Sequence, residues 1–160
     1  MIYIVMGVSG CGKSTVGSLL AQQLSLPFYD ADDYHPTSNI EKMSQGIALT
    51  DDDREPWLTL LANHITQWEL AGGAVLACSA LKQSYRDILS STTEGVVKFV
   101  YLKGDKEVLA SRLRSRESHF MPDTLLDSQL ATLETPKDAI TVRLENTLDE
   151  IISDILKEIN

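Results

Sequence analysis

The sequence is short of three things: cationic residues, cysteine and long apolar runs. Lysine and arginine number 14 against 23 aspartates and glutamates, for a net charge of −9. Nucleic acid and anionic membrane surfaces are therefore not expected partners. The two cysteines, Cys11 and Cys78, have neither the spacing of a metal site nor that of a disulfide framework. That suits a reducing compartment, and the expected location is the cytoplasm. The longest apolar runs, Met1 to Val8 and Ala74 to Cys78, are far too short to span a bilayer. No basic region precedes the first run, so a signal peptide is not expected. Repeats, linkers and low-complexity segments are missing as well. What remains is ordinary: 160 residues, 43% hydrophobic and 23% charged. This composition predicts one domain over residues 1–160 with a core that needs no staples. The acidic balance has one further consequence. An anionic substrate must be held by a local group of cations, because the global field repels it.

Against these absences stands one dense motif. Gly7-Val8-Ser9-Gly10-Cys11-Gly12-Lys13-Ser14-Thr15 follows the apolar run Ile2-Tyr3-Ile4-Val5-Met6 and fits the phosphate-binding pattern G-x-x-x-x-G-K-[ST]. A chance match in a chain this short is less frequent than roughly one in a hundred. Glycines let backbone N–H groups turn inward around an anion. A lysine at position 13 supplies charge to the β- and γ-phosphates, and the Ser14 hydroxyl suits Mg²⁺. The helix starting here adds its positive dipole end. Val16, Leu19, Leu20 and Leu24 recur at helical spacing, as the motif requires.

The rest of the chain alternates strand and helix, which predicts an α/β fold with five parallel strands and helices on both faces. Strands are expected at 2–6, 27–30, 74–78, 96–102 and 139–144. Helices are expected at 13–24, 37–44, 51–71, 80–89, from 105 onward, from 123 to before Pro136, and after Thr147. Trp57, Leu61, Ile65 and Trp68 form one stripe of the long helix, and Thr147 with Glu150 makes a capping box. In such a sheet ligands bind at the carboxyl ends of the strands, here after Met6, Tyr29, Cys78, Leu102 and Leu144.

Four stretches at that edge carry candidate chemistry. Asp30-Ala31-Asp32-Asp33-Tyr34-His35-Pro36 offers carboxylates to a Mg²⁺ shell and to an attacking hydroxyl. His35 reads first as a packing or turn residue. Thr50-Asp51-Asp52-Asp53-Arg54 opens a helix, where the acidic residues match the dipole and Thr50 with Asp53 resembles a cap. Arg54 is disfavoured there, which marks it as a candidate for an anionic substrate. Lys82 and Arg86, four apart, share a helix face that starts at the active edge. Arg112, Arg114 and Arg116 precede an irregular His119-Phe120-Met121-Pro122, and Arg112 and Arg116 lie on one face, where a lid would close over a γ-phosphate.

These stretches together resemble the thermoresistant-type gluconate kinases, small relatives of shikimate kinase and the nucleoside monophosphate kinases. The resemblance covers essentially the whole chain. It rests on the phosphate loop, Asp30 to Pro36, Leu49 to Trp57, Cys78-Ser79-Ala80-Leu81-Lys82, His119 to Pro122 and Leu125 to Glu134. It implies a P-loop kinase fold with a lid over about 112–125. It also implies ATP- and Mg²⁺-dependent phosphorylation of D-gluconate at its terminal hydroxyl, carried out by a cytosolic homodimer. The roles that follow are Lys13, Asp32 and Arg116 in catalysis, and Ser14 with Asp30 at the metal. The nucleotide falls to Gly7, Ser9, Gly10, Cys11, Gly12, Lys13, Ser14, Thr15 and Arg112. The acceptor falls to Asp32, His35, Arg54, Lys82 and Arg86, the last three being alternatives for its carboxylate. A shikimate-type acceptor and a non-catalytic nucleotide switch are the rivals. Against them stand Cys78 to Lys82, where shikimate kinases carry a glycine cluster, and the lack of an Asn-Lys-x-Asp guanine signature.

Overall fold

Ile2 to Val5 pair on both sides and Met6 on one, and that central position explains why the run is apolar throughout rather than alternating. In the computed structural model, which describes residues 1–8, 10–93, 96–114 and 123–159, and side chains in all of these but 112–114 and 123–125, five strands form one sheet. They are β1 Ile2–Met6, β2 Phe28–Asp30, β3 Ala74–Ala77, β4 Val97–Lys103 and β5 Ile140–Arg143. Their order is β2-β3-β1-β4-β5 and every pairing is parallel. Ile4 stands opposite Leu76 on one side and Phe99 on the other.

Among the described residues seven α-helices connect and cover the strands: α1 Lys13–Leu24, α2 Thr37–Ser44, α3 Asp51–Leu70, α4 Gln83–Ser90, α5 Lys106–Arg114, α6 Asp123–Thr132 and α7 Leu148–Ile159. A single 3-10 turn, Ala31–Tyr34, follows β2. Because strand side chains alternate in direction, β1 feeds two cores. Val5 packs with Val16 and Leu20 of α1, Leu109 of α5, Leu126 of α6 and Ile152 of α7. Ile2, Ile4 and Met6 pack with the α3 stripe Trp57, Leu61, Ile65 and Trp68 and with Tyr85 and Leu89 of α4.

The expected elements are all present, with shifted ends. The α4 helix starts at Gln83 rather than Ala80, because Ala80 takes φ 45° and Lys82 is the residue flanking the helix start. Both expected caps form. Thr50 Oγ1 accepts from Asp53 N at 3.1 Å while Asp53 Oδ2 accepts from Thr50 N at 2.9 Å. Thr147 and Glu150 make the same reciprocal pair at α7. The sheet order puts β1, β3 and β2 side by side, so the chain following each of them meets at one edge.

Candidate active site

The phosphate loop is shaped by backbone. Gly7, Gly10 and Gly12 take φ of 148°, 84° and 87°, where an L side chain is strained. At Gly7 a Cβ would also lie 2.8 Å from Cys11 Sγ and 3.1 Å from the Leu102 carbonyl oxygen. Cys11 is the buried member of the loop's second half, 2% exposed. Gly7 N donates to Ser79 O at 3.3 Å, which ties the loop to the segment after β3. The first turn of α1 has no acidic residue and no side-chain cap among the described residues, so its orphan N–H groups and dipole face the loop. Lys13 Nζ donates to the Val8 carbonyl at 3.2 Å. Ser14 and Thr15 are exposed. Ser9 lies outside the described residues.

Beside the loop, β2 delivers its carboxylates. Ser14 Oγ donates to Asp30 Oδ2 at 2.9 Å, and Asp30 Oδ1 accepts from Asp32 N at 3.0 Å. Asp30 thus caps the 3-10 turn and fixes where Asp32 begins. The Asp32 carboxyl is 82% exposed to the cleft. Crowding by the surrounding protein, with Asp30 and Asp33 adding to it and Lys13 opposing, still raises its pKa above the ordinary carboxylate value. A carboxylate that holds protons more tightly than usual is the better proton acceptor. Cys78 is buried at the end of β3, where desolvation pushes its thiol up to about 12, so it is not a nucleophile near neutral pH.

A second cluster joins the start of α3 to α4. Asp51 accepts from Lys82 Nζ at 3.0 and 3.1 Å and from the Tyr85 hydroxyl. Tyr85 in turn accepts from Arg54 NH1 at 3.0 Å, and Arg54 NH1 lies 3.8 Å from Asp51 itself. Two cations and one hydroxyl therefore gather on a single carboxylate. These contacts lower the pKa of Asp51, the Tyr85 hydrogen bond first and Lys82 second. They also explain how Arg54 is tolerated in a first helical turn.

Two sequence-based expectations need correction. Arg86 does not share an exposed face with Lys82. It is 2% exposed, with NH1 donating to the carbonyls of Ala80 (2.7 Å) and Leu81 (3.3 Å), and NH2 to Glu134 O (2.8 Å) and Gln83 Oε1 (3.3 Å). Spacing of four places two residues on one helix face only inside the helix, and Lys82 precedes it. His35 is likewise turned inward, its side chain 3% exposed. Its ring stacks on Trp57 at 4.0 Å between centroids, 15° between planes. Neither side chain is open to an acceptor. Arg112 belongs to α5 but its side chain, like the whole of Arg116 and most of the expected lid, lies outside the described residues.

Comparison with known proteins bears on the family and the fold. A family model described as shikimate kinase matches residues 9–159. A probable gluconokinase of Xenopus tropicalis is 47% identical over all of this chain and 94% of its own length. A gluconokinase of Gluconobacter oxydans (strain 621H) is 47% identical over 96% of this chain and 88% of its own. The crystal structure of a gluconokinase from Sinorhizobium meliloti 1021 superposes with a TM-score of 0.89 at 45% identity, covering 97% of this chain and 89% of that one. The chain belongs to the gluconokinase family.

As a gluconokinase-family member it is a kinase with the P-loop kinase fold. The oxygen donors Ser14 Oγ and Asp30 Oδ2, 2.9 Å apart, fit a hard cation such as Mg²⁺, which takes one or two protein oxygens and completes its shell with phosphate and water. Among the described residues no group of three or more His, Cys, Asp or Glu side chains forms a metal cage. Two members of the Arg54–Lys82 cluster were given no role from the sequence. Asp51 is hidden among three acidic residues that suit a helix start for other reasons; its separation of three from Arg54 is the signal that could have found it. Tyr85 has no such signal.

Proposed function

We propose that the protein transfers the γ-phosphoryl group of ATP to the terminal hydroxyl of D-gluconate, giving 6-phospho-D-gluconate and ADP. The observation that carries this reading is the gathering of Arg54, Lys82 and Tyr85 on one carboxylate, in a chain that also has a phosphate loop and an Asp32 whose pKa is raised. That cradle suits a sugar acid. Names borne by the relatives, gluconokinases at 47% identity, point the same way.

The loop amides and Lys13 hold the β- and γ-phosphates, so that negative charge developing on the transferring group meets fixed positive charge. Mg²⁺, held by Ser14 and by Asp30, directly or through water, supplies charge neutralisation of the phosphates. Asp32 orients the acceptor hydroxyl and takes its proton as the oxygen attacks in line. Arg54, with Lys82, binds the acceptor carboxylate, displacing part of the Asp51 contact. Arg112 and Arg116, by the family resemblance, belong to the lid that closes over the phosphates. A cytosolic homodimer completes the reading, and analytical ultracentrifugation measures that state.

Steady-state kinetics with gluconate, shikimate and glucose tests the assignment. Gluconate is the preferred acceptor. In Arg54→Ala, KM for gluconate rises about tenfold or more, the loss of a charge-assisted contact of roughly 1.5–3 kcal/mol, while KM for ATP stays within about twofold. Preference for shikimate or glucose overturns the substrate. Unchanged gluconate kinetics in Arg54→Ala moves the carboxylate contact to Lys82.

A further inference from the structure

The hydrogen bonds around His35 determine where its proton is. Asn39 Nδ2 donates to the backbone carbonyl of Asp53 at 2.9 Å. A carbonyl only accepts, so the NH₂ end of that amide is oriented without ambiguity. The same nitrogen lies 3.3 Å from His35 Nδ1. An NH₂ group only donates, so Nδ1 is the unprotonated nitrogen and the neutral ring carries its hydrogen on Nε2. Nε2 faces Asp32 Oδ1 at 3.7 Å. Burial first, and Arg54 second, lower the His35 pKa to about 4, so the ring is neutral near pH 7.

The ring is buried and held on one edge and one face. Asn39 of α2 fixes one edge, and Trp57 of α3 covers a face. Trp57 Nε1 donates to the carbonyl of Ala31 at 2.8 Å, which pins the residue immediately before Asp32 to the same stack. Asp32 N is bonded to Asp30. A held imidazole thus places its Nε2 3.7 Å from one oxygen of an exposed carboxylate whose backbone is itself anchored. The 3.7 Å gap is longer than a hydrogen bond, and a side-chain rotation moving Asp32 by about 1 Å closes it.

We infer that His35 is a positioning residue for Asp32: its Nε2–H holds Oδ1, which turns Oδ2 toward the acceptor hydroxyl. This rests on the reading of Asp32 as the proton acceptor. The hydroxyl proton moves to Asp32, and His35 keeps its own proton throughout. The buried ring makes no contact with the acceptor, so its loss lowers turnover rather than acceptor affinity.

The test compares full-length wild type, Asp32→Asn, His35→Phe and His35→Gln by steady-state kinetics and thermal unfolding. Phenylalanine keeps the stack on Trp57 and removes the donor; glutamine restores an N–H of similar reach. In His35→Phe, kcat falls about tenfold with both KM values within about twofold of wild type, and in His35→Gln most of that loss is recovered. Wild-type turnover in His35→Phe overturns the inference. So do equal losses in the two variants, or a rise in KM for the acceptor at unchanged kcat, which makes His35 a substrate contact. Full turnover in Asp32→Asn overturns the underlying reading instead, whatever the His35 variants do. Should His35→Phe fail to fold, ¹⁵N-resolved NMR of the wild-type ring decides: an Nε2–H tautomer is expected, and an Nδ1–H tautomer overturns it.

Discussion

The two halves of the site are built by different means. The phosphate half is made of main chain: three glycines at positive φ, the uncapped start of α1, and a Lys13 whose hydrogen bond is to its own loop at Val8. The half proposed to take the acceptor is made of side chains already paired with one another, with Arg54, Lys82 and Tyr85 converging on Asp51. Backbone amides recognise any phosphate, so they suit a part used for every nucleotide. Paired side chains recognise one arrangement of charge, so they suit the part that selects. The contrast also separates catalysis from stability, since Lys13 has little folded-state bonding to lose while the acceptor half is a connected network.

The strongest way to break that contrast is Lys13→Ala. Removing the charge over the transferring phosphate lowers kcat by about two orders of magnitude or more. The unfolding midpoint falls by no more than a few degrees, since the one bond to Val8 contributes about 1 kcal/mol. Near-normal turnover in the folded variant would end the phosphate-loop assignment, and a large loss of stability would erase the distinction between the halves.

Arg86→Ala is the counterpart on the other side. It leaves the carbonyls of Ala80 and Glu134 without the guanidinium that they accept from, while Leu81 O keeps its bond from Glu134 N at 2.7 Å, and the loss costs about 2 kcal/mol. Urea unfolding reads that loss directly. KM for gluconate rises with it, because the segment carrying Lys82 is no longer held, while the nucleotide side is unaffected. Stability equal to wild type would show that water replaces the guanidinium.

Asp51→Asn is expected to have the smallest effect and sharpens the comparison most. If Asp51 occupies the cations that an acceptor carboxylate needs, neutralising it lowers KM for gluconate about threefold and leaves KM for ATP alone. A higher KM would mean that Asp51 orders Arg54 and Lys82 rather than competing for them.

Much of this was legible along the chain. The phosphate loop, the strand order of appearance and the α3 stripe follow from local pattern, because each is a matter of neighbours in sequence and a fixed period. Arg86 was misplaced for the complementary reason. Its spacing from Lys82 says that two side chains share a face if a helix is already running, but Ala80 at φ 45° delays the helix, and Glu134, 48 residues on, takes the guanidinium through its carbonyl. His35 was read first as a packing residue, which its stack on Trp57 supports; its pairing with Asn39 and its approach to Asp32 depend on how α2 and α3 pack.

What the amino-acid order decided by itself was everything carried by short-range geometry: the glycine-shaped anion loop, the alternation that requires a parallel sheet, the two capping boxes and the family. Tertiary structure alone decided the rest. Whether Arg86 faces the cleft or the core and which carboxylate Lys82 meets are set by contacts 48 and 31 residues apart, and which imidazole nitrogen keeps its proton depends on Asn39 being oriented by Asp53, 14 residues on. Those contacts depend on how α2, α3 and α4 lie against the β2-β3-β1 edge, and no local spacing encodes that arrangement.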